Sequence, residues 1–458
     1  MLLACSAISY YYNDEALLDF WKSAGITAGV GLLMAIAGKG GEKQLTRRDG
    51  YVLVSFAWVA FSLFGMLPFY ISGYVPDITN AFFETMSGFT STGATVLDNI
   101  ESLPHGLLFW RGMTQWIGGL GIIMFTIAVF GVSGLQVFAA EASGPTHDKV
   151  HPRIGITAKW IWSIYAGLTL ILVVLLMLGG MNWFDSVCHA FATTGTGGFS
   201  TKQASVAYYN SIEYVISIFM FISGINFTLL LFFVNRKFKK VIDNAELKWY
   251  FWSVAGFTGV IAAVLYYTGS MDAEEAFRKS LFQVISLHTS TGFATDDYML
   301  WTPVLWGLLT IVMVMGACAG STSGGLKCIR MVILAKVSRN ECKHLLHPNA
   351  VLPVRINKQV IPPSIVSTVL AFFFLYFIII IISILIMMGM GIGAEESIGC
   401  VVSSIGNMGP GLGDTGPAYS WNALPDAAKW LLSFLMLLGR LELFTVLLLF
   451  TPEFWKRN

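Results

Sequence analysis

The chain has 458 residues, of which 55% are hydrophobic and only 12% charged, with a mean hydropathy of +0.68 and a formal net charge of +1. Soluble domains carry about 25% charged residues, so a water-soluble fold is excluded, and a near-neutral chain leaves no footprint for nucleic acid. Six scattered cysteines form no Cys-x-x-Cys pair, so neither a zinc nor an iron–sulfur centre is expected. The N-terminus has neither a basic region nor a small-residue cleavage site, so no signal peptide is expected there.

Crossing a hydrocarbon layer takes about 20 helical residues. In chain order, Met1–Tyr12 is too short and Leu18–Ala37 is adequate. Further spans are predicted over Tyr51–Ile71, Thr157–Met181, Tyr250–Thr268, Ser364–Gly391 and Ala428–Phe450. Basic residues cluster in alternate connections: Lys39 to Arg48, Lys149 to Lys159, Arg236 to Lys240, Lys327 to Lys358, and the terminal Lys456 and Arg457. These are expected on the cytoplasmic side. Acidic residues such as Asp98, Glu101, Asp272, Glu274, Glu395 and Asp414 fill the other connections, where they would concentrate cations at an outer mouth.

Each acidic connection repeats one texture. An apolar segment too short to span precedes a Gly/Ser/Thr-rich stretch, and another span follows. The four copies run from Asn80 through Gly93, Asp185 through Gly198, Ser280 through Gly292, and Ser397 through Gly411. Non-helical backbone at membrane depth is tolerated only against protein or a water-filled path. Four such loops therefore predict an all-α polytopic membrane protein of helix–pore loop–helix repeats around one central pathway. The repeats are expected over 46–140, 141–240, 241–345 and 346–458, after an N-terminal extension of helices over 1–45.

The loops suit a dehydrated monovalent cation. Backbone carbonyls and hydroxyls supply neutral oxygens, and glycine adopts the required backbone angles at little cost. No Asp or Glu lies within the loops, which argues against calcium. The negative C-terminal end of each short helix would face the ion. The candidate filter is Ser91, Thr92 and Gly93; Gly195, Thr196, Gly197 and Gly198; Thr289, Ser290, Thr291 and Gly292; and Gly406, Asn407, Met408 and Gly409. Unequal glycine counts leave the register between loops open by one residue, most of all in the fourth.

Two further features concern a gate. The helix expected from Trp301 carries Gly316-Ala-Cys-Ala-Gly320-Ser321-Thr322-Ser323-Gly324-Gly325-Leu-Lys327 deep within it. That stretch breaks a helix, which suits a flexible constriction; the alternative is a small-residue packing surface. A P-loop is excluded, because Leu326 stands where the lysine is required and no strand precedes it. Arg440 interrupts an apolar helix expected over Lys429–Phe450. It must face protein or water, either as a barrier to cations in the pathway or as an ion pair with Glu442 or another acid. Glu442 is only two residues on, which places the two on different helical faces. His189 and His288 are expected to pack or hydrogen-bond, and Arg111, Gln115 and Asn226 to brace the vestibule. No buried Asp/Glu relay of the kind found in coupled transporters is visible.

The loops TSTGATVL, GTGGFST, TSTGFATD and GNMGPGLG resemble those of the Trk/Ktr/HKT potassium transporters, as do Gln115–Ile123, Gly316–Lys327, His347–Ala350 and, most specifically, Gly439–Trp455. Within that superfamily the chain looks like the TrkH-type membrane subunits of bacterial Trk systems. The resemblance implies a pseudo-fourfold pore in the bacterial inner membrane, potassium as the ion at the filter, and a homodimer. It implies that Gly316–Lys327 is the gating loop and Arg440 a pore-facing arginine. It also implies a cytoplasmic TrkA-like nucleotide-binding regulatory subunit, with no nucleotide bound by this chain. The alternative function is a secondary potassium/proton or potassium/sodium symporter with the same pore; an intramembrane enzyme is the remote one. TrkH-type chains begin with two extra helices, and here the first is short.

Overall fold

The computed structural model describes residues 1–39, 46–121, 154–208, 212–269, 271–357 and 359–456. Lys43, Ile122, Ile123, Lys149, Arg153, Lys358, Arg457 and the expected repeat boundaries near 45 and 140 lie outside them. The fold is almost wholly helical. A ten-residue α1 (Leu2–Tyr11) leads into α2 (Leu17–Ala37). The segment after α1 docks on the start of the helix that begins at His105: Tyr12 stacks on His105 at 3.9 Å between ring centroids, and Asp14 accepts the Gly106 N–H at 2.9 Å.

Repeat one comprises α3 (Arg47–Gly65), α4 (Leu67–Ile71), the half-helix α5 (Ile78–Phe89) and α6 (His105–Leu120). Repeat two has α7 (Ile154–Leu178), half-helix α8 (Trp183–Thr194), and α9 (Glu213–Ser223) followed by α10 (Phe227–Val234). After the short α11 (Phe238–Ile242), repeat three has α12 (Ala245–Tyr267), half-helix α13 (Ala273–His288), α14 (Pro303–Val314) and α15 (Cys328–Leu346). A two-stranded hairpin, β1 (Arg355–Ile356) with β2 (Gln359–Val360), precedes repeat four. That repeat has α16 (Pro363–Gly389), half-helix α17 (Ala394–Gly406), α18 (Asp426–Arg440) and α19 (Phe444–Leu447); α20 (Pro452–Trp455) ends the described chain.

Five helices among the described residues are long and apolar enough to span, or seven if each bent pair is one span. The half-helices have 12, 12, 16 and 13 residues. At 1.5 Å per residue they reach only part-way through a layer of about 30 Å. Asp77 and Asn182 start the first two by accepting backbone N–H groups of Asn80 and Asp185, each at 2.8 Å. Such caps satisfy donors that lipid could not.

The repeats close on themselves. Half-helix α5 packs against α18 of repeat four, α8 against α6 of repeat one, α13 against α9 of repeat two, and α17 against α14 of repeat three. Each half-helix thus meets the closing helix of the preceding repeat, and the sequence is cyclic. The expected all-α fourfold architecture is therefore observed.

Three closing helices are broken, whereas sequence features predict one such break. The expected break falls between α14 and α15. In repeat two, α9 and α10 meet at 102° across Gly224 to Asn226. In repeat four, the helix expected over Lys429–Phe450 is not continuous: α18 ends at Arg440 and the chain turns by 112°. Glu442 and Leu443 both hold left-handed backbone there, with φ of 55° and 52°. Non-glycine residues pay about 1–2 kcal/mol each for that conformation, so fixed partners must offset the cost. Glu442 has one, an ion pair with Arg330 of α15.

Candidate filter and the loop beneath it

The four loops are superimposable in their bonding. The second residue of each donates its N–H to the carbonyl five residues back in its own half-helix: Thr92 to Ser87, Gly197 to Ala192 and Thr291 to Ser286, each at 2.8 Å, and Met408 to Ser403 at 3.0 Å. The residues flanking that position are left-handed in every loop. They are Ser91 and Gly93, Thr196 and Gly198, Ser290 and Gly292, and Asn407 and Gly409. This aligns Ser91 with Thr196, Ser290 and Asn407, and so removes the one-residue ambiguity of register. The fourth loop keeps the common register despite its different residues. Gly411 lies beyond it, donating to Thr415 O at 2.8 Å and accepting the Tyr298 hydroxyl at 2.6 Å.

The third-position glycines make the loops a ring. A Cβ on Gly93 would fall on the carbonyl oxygen of Gly197, one on Gly198 on that of Thr291, and one on Gly292 on that of Met408. A Cβ on Gly409 would lie 2.9 Å from Thr92 O and close the circle. Each glycine therefore abuts the second-position carbonyl of the next loop. Hydroxyls add oxygens at two opposite corners: Thr90 with Thr92, and Thr289 with Thr291, lie 2.8 Å apart in each pair. Asn407 bonds Thr92 Oγ1 at 3.0 Å and Met436 O at 2.9 Å. The arrangement can replace the hydration shell of a cation with neutral oxygens from four chain segments.

Arg111 and Gln115 brace the ring, as expected. Gln115 Nε2 donates to Gly197 O at 2.6 Å, and its Oε1 accepts the Phe199 N–H at 3.0 Å. Arg111 pairs with buried Glu84 at 2.9 Å, donates to Ser200 O at 3.0 Å and lies 4.1 Å over the Phe199 ring. His189 bonds Asp185 O and Ser200 Oγ, and His288 bonds Ser253 Oγ at 2.7 Å. Buried carboxylates occur, each with its own partner: Glu84, Glu213 and Glu246 are each 4% exposed or less. Glu84 and Glu213 are held by Arg111 and Arg278, and Glu246 by backbone N–H groups. Replacing Arg111 with methionine strands the Glu84 charge. It should cost about 3–5 kcal/mol, the usual penalty for breaking a buried pair. Thermal unfolding of the purified protein should show that loss, and adding E84Q to R111M should recover part of it.

Residues 315–327 form a compact loop under the ring. Gly316 N–H donates to Leu326 O at 2.9 Å and Cys328 N–H to Ala317 O at 3.0 Å, which closes the loop on itself. Gly320 and Gly325 turn the chain with φ of 74° and 69°. Lys327 folds its ammonium onto Ser323 O inside the loop. Gly324 N–H donates to Ser290 Oγ of the third filter loop at 2.6 Å, and a Cβ there would strike Gly406 O of the fourth. On the far side, Cys318 N–H reaches Gly224 O and Phe227 N–H reaches Gly320 O, at 3.1 and 3.0 Å. Asn226 caps α10 and packs on Gly320, so it belongs to this lower layer and not to the vestibule.

Arg440 joins the same layer. Its guanidinium donates to Thr322 O at 2.9 Å, to Gly119 O at 2.5 Å and to Gly118 O. Those acceptors belong to repeats three and one, which face each other across the ring. A side chain rooted in repeat four therefore ties repeats three and one together. The C-terminal carbonyls of α6 are a favourable seat for a cation. Glu442 instead pairs with Arg330, which also lies 3.9 Å over the Phe372 ring. Sequence reasoning missed Glu84, Glu246, the Arg330–Glu442 pair and the Ser290–Gly324 bond; all four join different helices or loops, which no single-segment pattern records.

The family model described as TrkH, cation transport protein, matches residues 25–457. The Trk system potassium uptake protein TrkH of Halomonas elongata is 37% identical, over 98% of this chain and 95% of its own length. TrkH of Escherichia coli is 38% identical over 98% and 94%. A crystal structure of the potassium transporter TrkH from Vibrio parahaemolyticus superposes with a TM-score of 0.90 at 34% identity, covering 99% of this chain and 96% of that one.

Proposed function

The chain belongs to the TrkH family of cation transport proteins, and from that premise we propose that it takes up potassium across the bacterial inner membrane through the ring of four loops. The observation that carries this reading is the closed circle of glycines, each abutting the carbonyl of the next loop. Potassium sheds water as it enters from the acidic outer face and is held by oxygens of residues 90–93, 195–198, 289–292 and 406–409. The left-handed backbone at Ser91, Thr196, Ser290 and Asn407 is strain kept in place by the half-helices behind them, whereas the four glycines adopt theirs at little cost.

The loop over 316–327 and Arg440 act as the gate in this reading. Opening requires the loop to leave Ser290, Phe227 and Arg440, and the guanidinium to leave the axis. A cytoplasmic nucleotide-binding subunit of the TrkA type supplies the force, and the basic α15 that leaves the loop is its handle. The chain works as a homodimer with a separate pore in each protomer. The buried carboxylates are each tied to a fixed partner, which favours a pore over proton-coupled symport.

Purified protein in proteoliposomes, opened by its partner subunit, tests this. The reversal potential should follow the potassium gradient and ignore imposed pH and sodium gradients. A reversal potential that tracks the proton gradient would establish symport and overturn the pore.

A further inference from the structure

We propose that Glu246 is a positioning residue for the loop beneath the ring, a staple that fixes both ends of its moving part. Glu246 is the second residue of α12 and is 4% exposed. One carboxyl oxygen, Oε1, accepts the N–H of Ala319 at 2.6 Å and the N–H of Ile329 at 3.1 Å. Ala319 lies within the loop, and Ile329 is in the first turn of α15. The residue preceding α15, Lys327, offers no side-chain cap. A helix N-terminus has unpaired N–H groups and a positive dipole end, so a carboxylate from a neighbouring helix is a fitting substitute.

The staple divides the segment. Residues 320–328 lie between its two feet and include both left-handed glycines, Gly320 and Gly325. Their external bonds, from Gly320 O, Thr322 and Gly324, are the ones that must break on opening. The feet hold a buried acceptor that no other described group replaces, and losing it leaves two buried N–H groups unpaired. The anchor is itself fixed: the adjacent Ala245 N–H donates to Asn357 Oδ1 in the hairpin turn, at 2.8 Å. Motion is therefore confined to the segment between the feet, while Glu246 stays with α12. This inference rests on reading the loop as a gate.

Native cysteines report on it. Cys318 and Cys328 flank the feet and are both 0% exposed, whereas Cys342 is exposed. In the purified full-length chain, N-ethylmaleimide should label Cys342 and spare Cys318 and Cys328. E246L removes the acceptor, and E246D withdraws it by one methylene. Each should label Cys318 and Cys328 at least about tenfold faster, the effect of losing one buried charge-assisted bond. Each should also raise potassium flux through the chain alone in proteoliposomes. E246Q keeps an acceptor oxygen in place and should restore both protection and low flux. Unchanged labelling in E246L and E246D overturns the staple, as does E246Q labelling as fast as E246L. Faster labelling without added flux leaves the staple standing and defeats the gate. If E246L also exposes Cys188 and Cys400 in the half-helices, it has lost its fold and E246D decides.

Discussion

Replacing Gly198 with alanine will lower potassium uptake by about 100-fold, the order expected when a close-fitting site is displaced by about an ångström. Gly198 holds φ of 76°, which an L-residue occupies at a cost of about 1–2 kcal/mol. The added Cβ would also occupy the position of the Thr291 carbonyl oxygen, so one of the two loops must move. Gly93 and Gly292 meet the same obstacle at Gly197 O and Met408 O, and their alanine variants should fail to the same degree. Gly409 is different. Its nearest obstacle is Thr92 O at 2.9 Å, so G409A needs a smaller shift and should retain more transport. Alanine at Gly25 or Gly29 of α2, where nothing lies within 4 Å, should leave uptake unchanged. Radiolabelled rubidium uptake into cells lacking their own potassium systems ranks these variants. A ranking with G409A most damaged and G198A intact would dismiss the ring.

Removing the Arg440 side chain should act in the opposite direction. R440A releases Thr322 O, Gly118 O and Gly119 O, and so cuts the tie between the loop and repeat one. It also takes a positive charge from under the ring. A unit charge about 6 Å from a monovalent cation, at an effective dielectric near 20, repels it by about 3 kcal/mol. That corresponds to roughly 100-fold in occupancy at that point, so flux through the chain without its partner should rise by at least about tenfold. R440K keeps the charge but cannot bridge three carbonyls with a planar fork, and should fall between R440A and the native protein. Flux measured in proteoliposomes under a potassium gradient decides. A fall in flux for R440A, with the protein still folded, would show that the guanidinium serves conduction and not closure.

The α9–α10 and α18–α19 breaks explain why sequence reasoning placed some features correctly and others not. Phe227–Val234 is apolar but for Thr228, and so is most of Leu441 to Phe450, so hydropathy reads straight through both turns. The break after α14 was legible because it is rich in glycine and hydroxyl residues, which oppose a helix by local chemistry. Arg440 stood out for its cost in lipid, yet its partners are carbonyls 118 and more residues away in the chain. Glu246 gave no signal, since a glutamate in the first turn of a helix is ordinary until α15 is seen to begin against it.

The sequence by itself determined that this protein lies in a membrane, that it carries four half-helices each followed by a glycine loop, and that those loops suit a monovalent cation. Each of these follows from composition and from residue spacing within about 30 positions, where local physics governs. Only the tertiary structure decided the register of the four loops, the closed contact of each glycine on the next loop's carbonyl, and the bonds that hold the lower loop under the filter. Those depend on approach distances of a few ångströms between segments from different repeats. The ring is fourfold in backbone but not in sequence: Ser91, Thr196, Ser290 and Asn407 occupy one equivalent position because the half-helix behind each accepts the same five-residue bond. Backbone geometry imposes that equivalence, and side-chain identity does not reveal it.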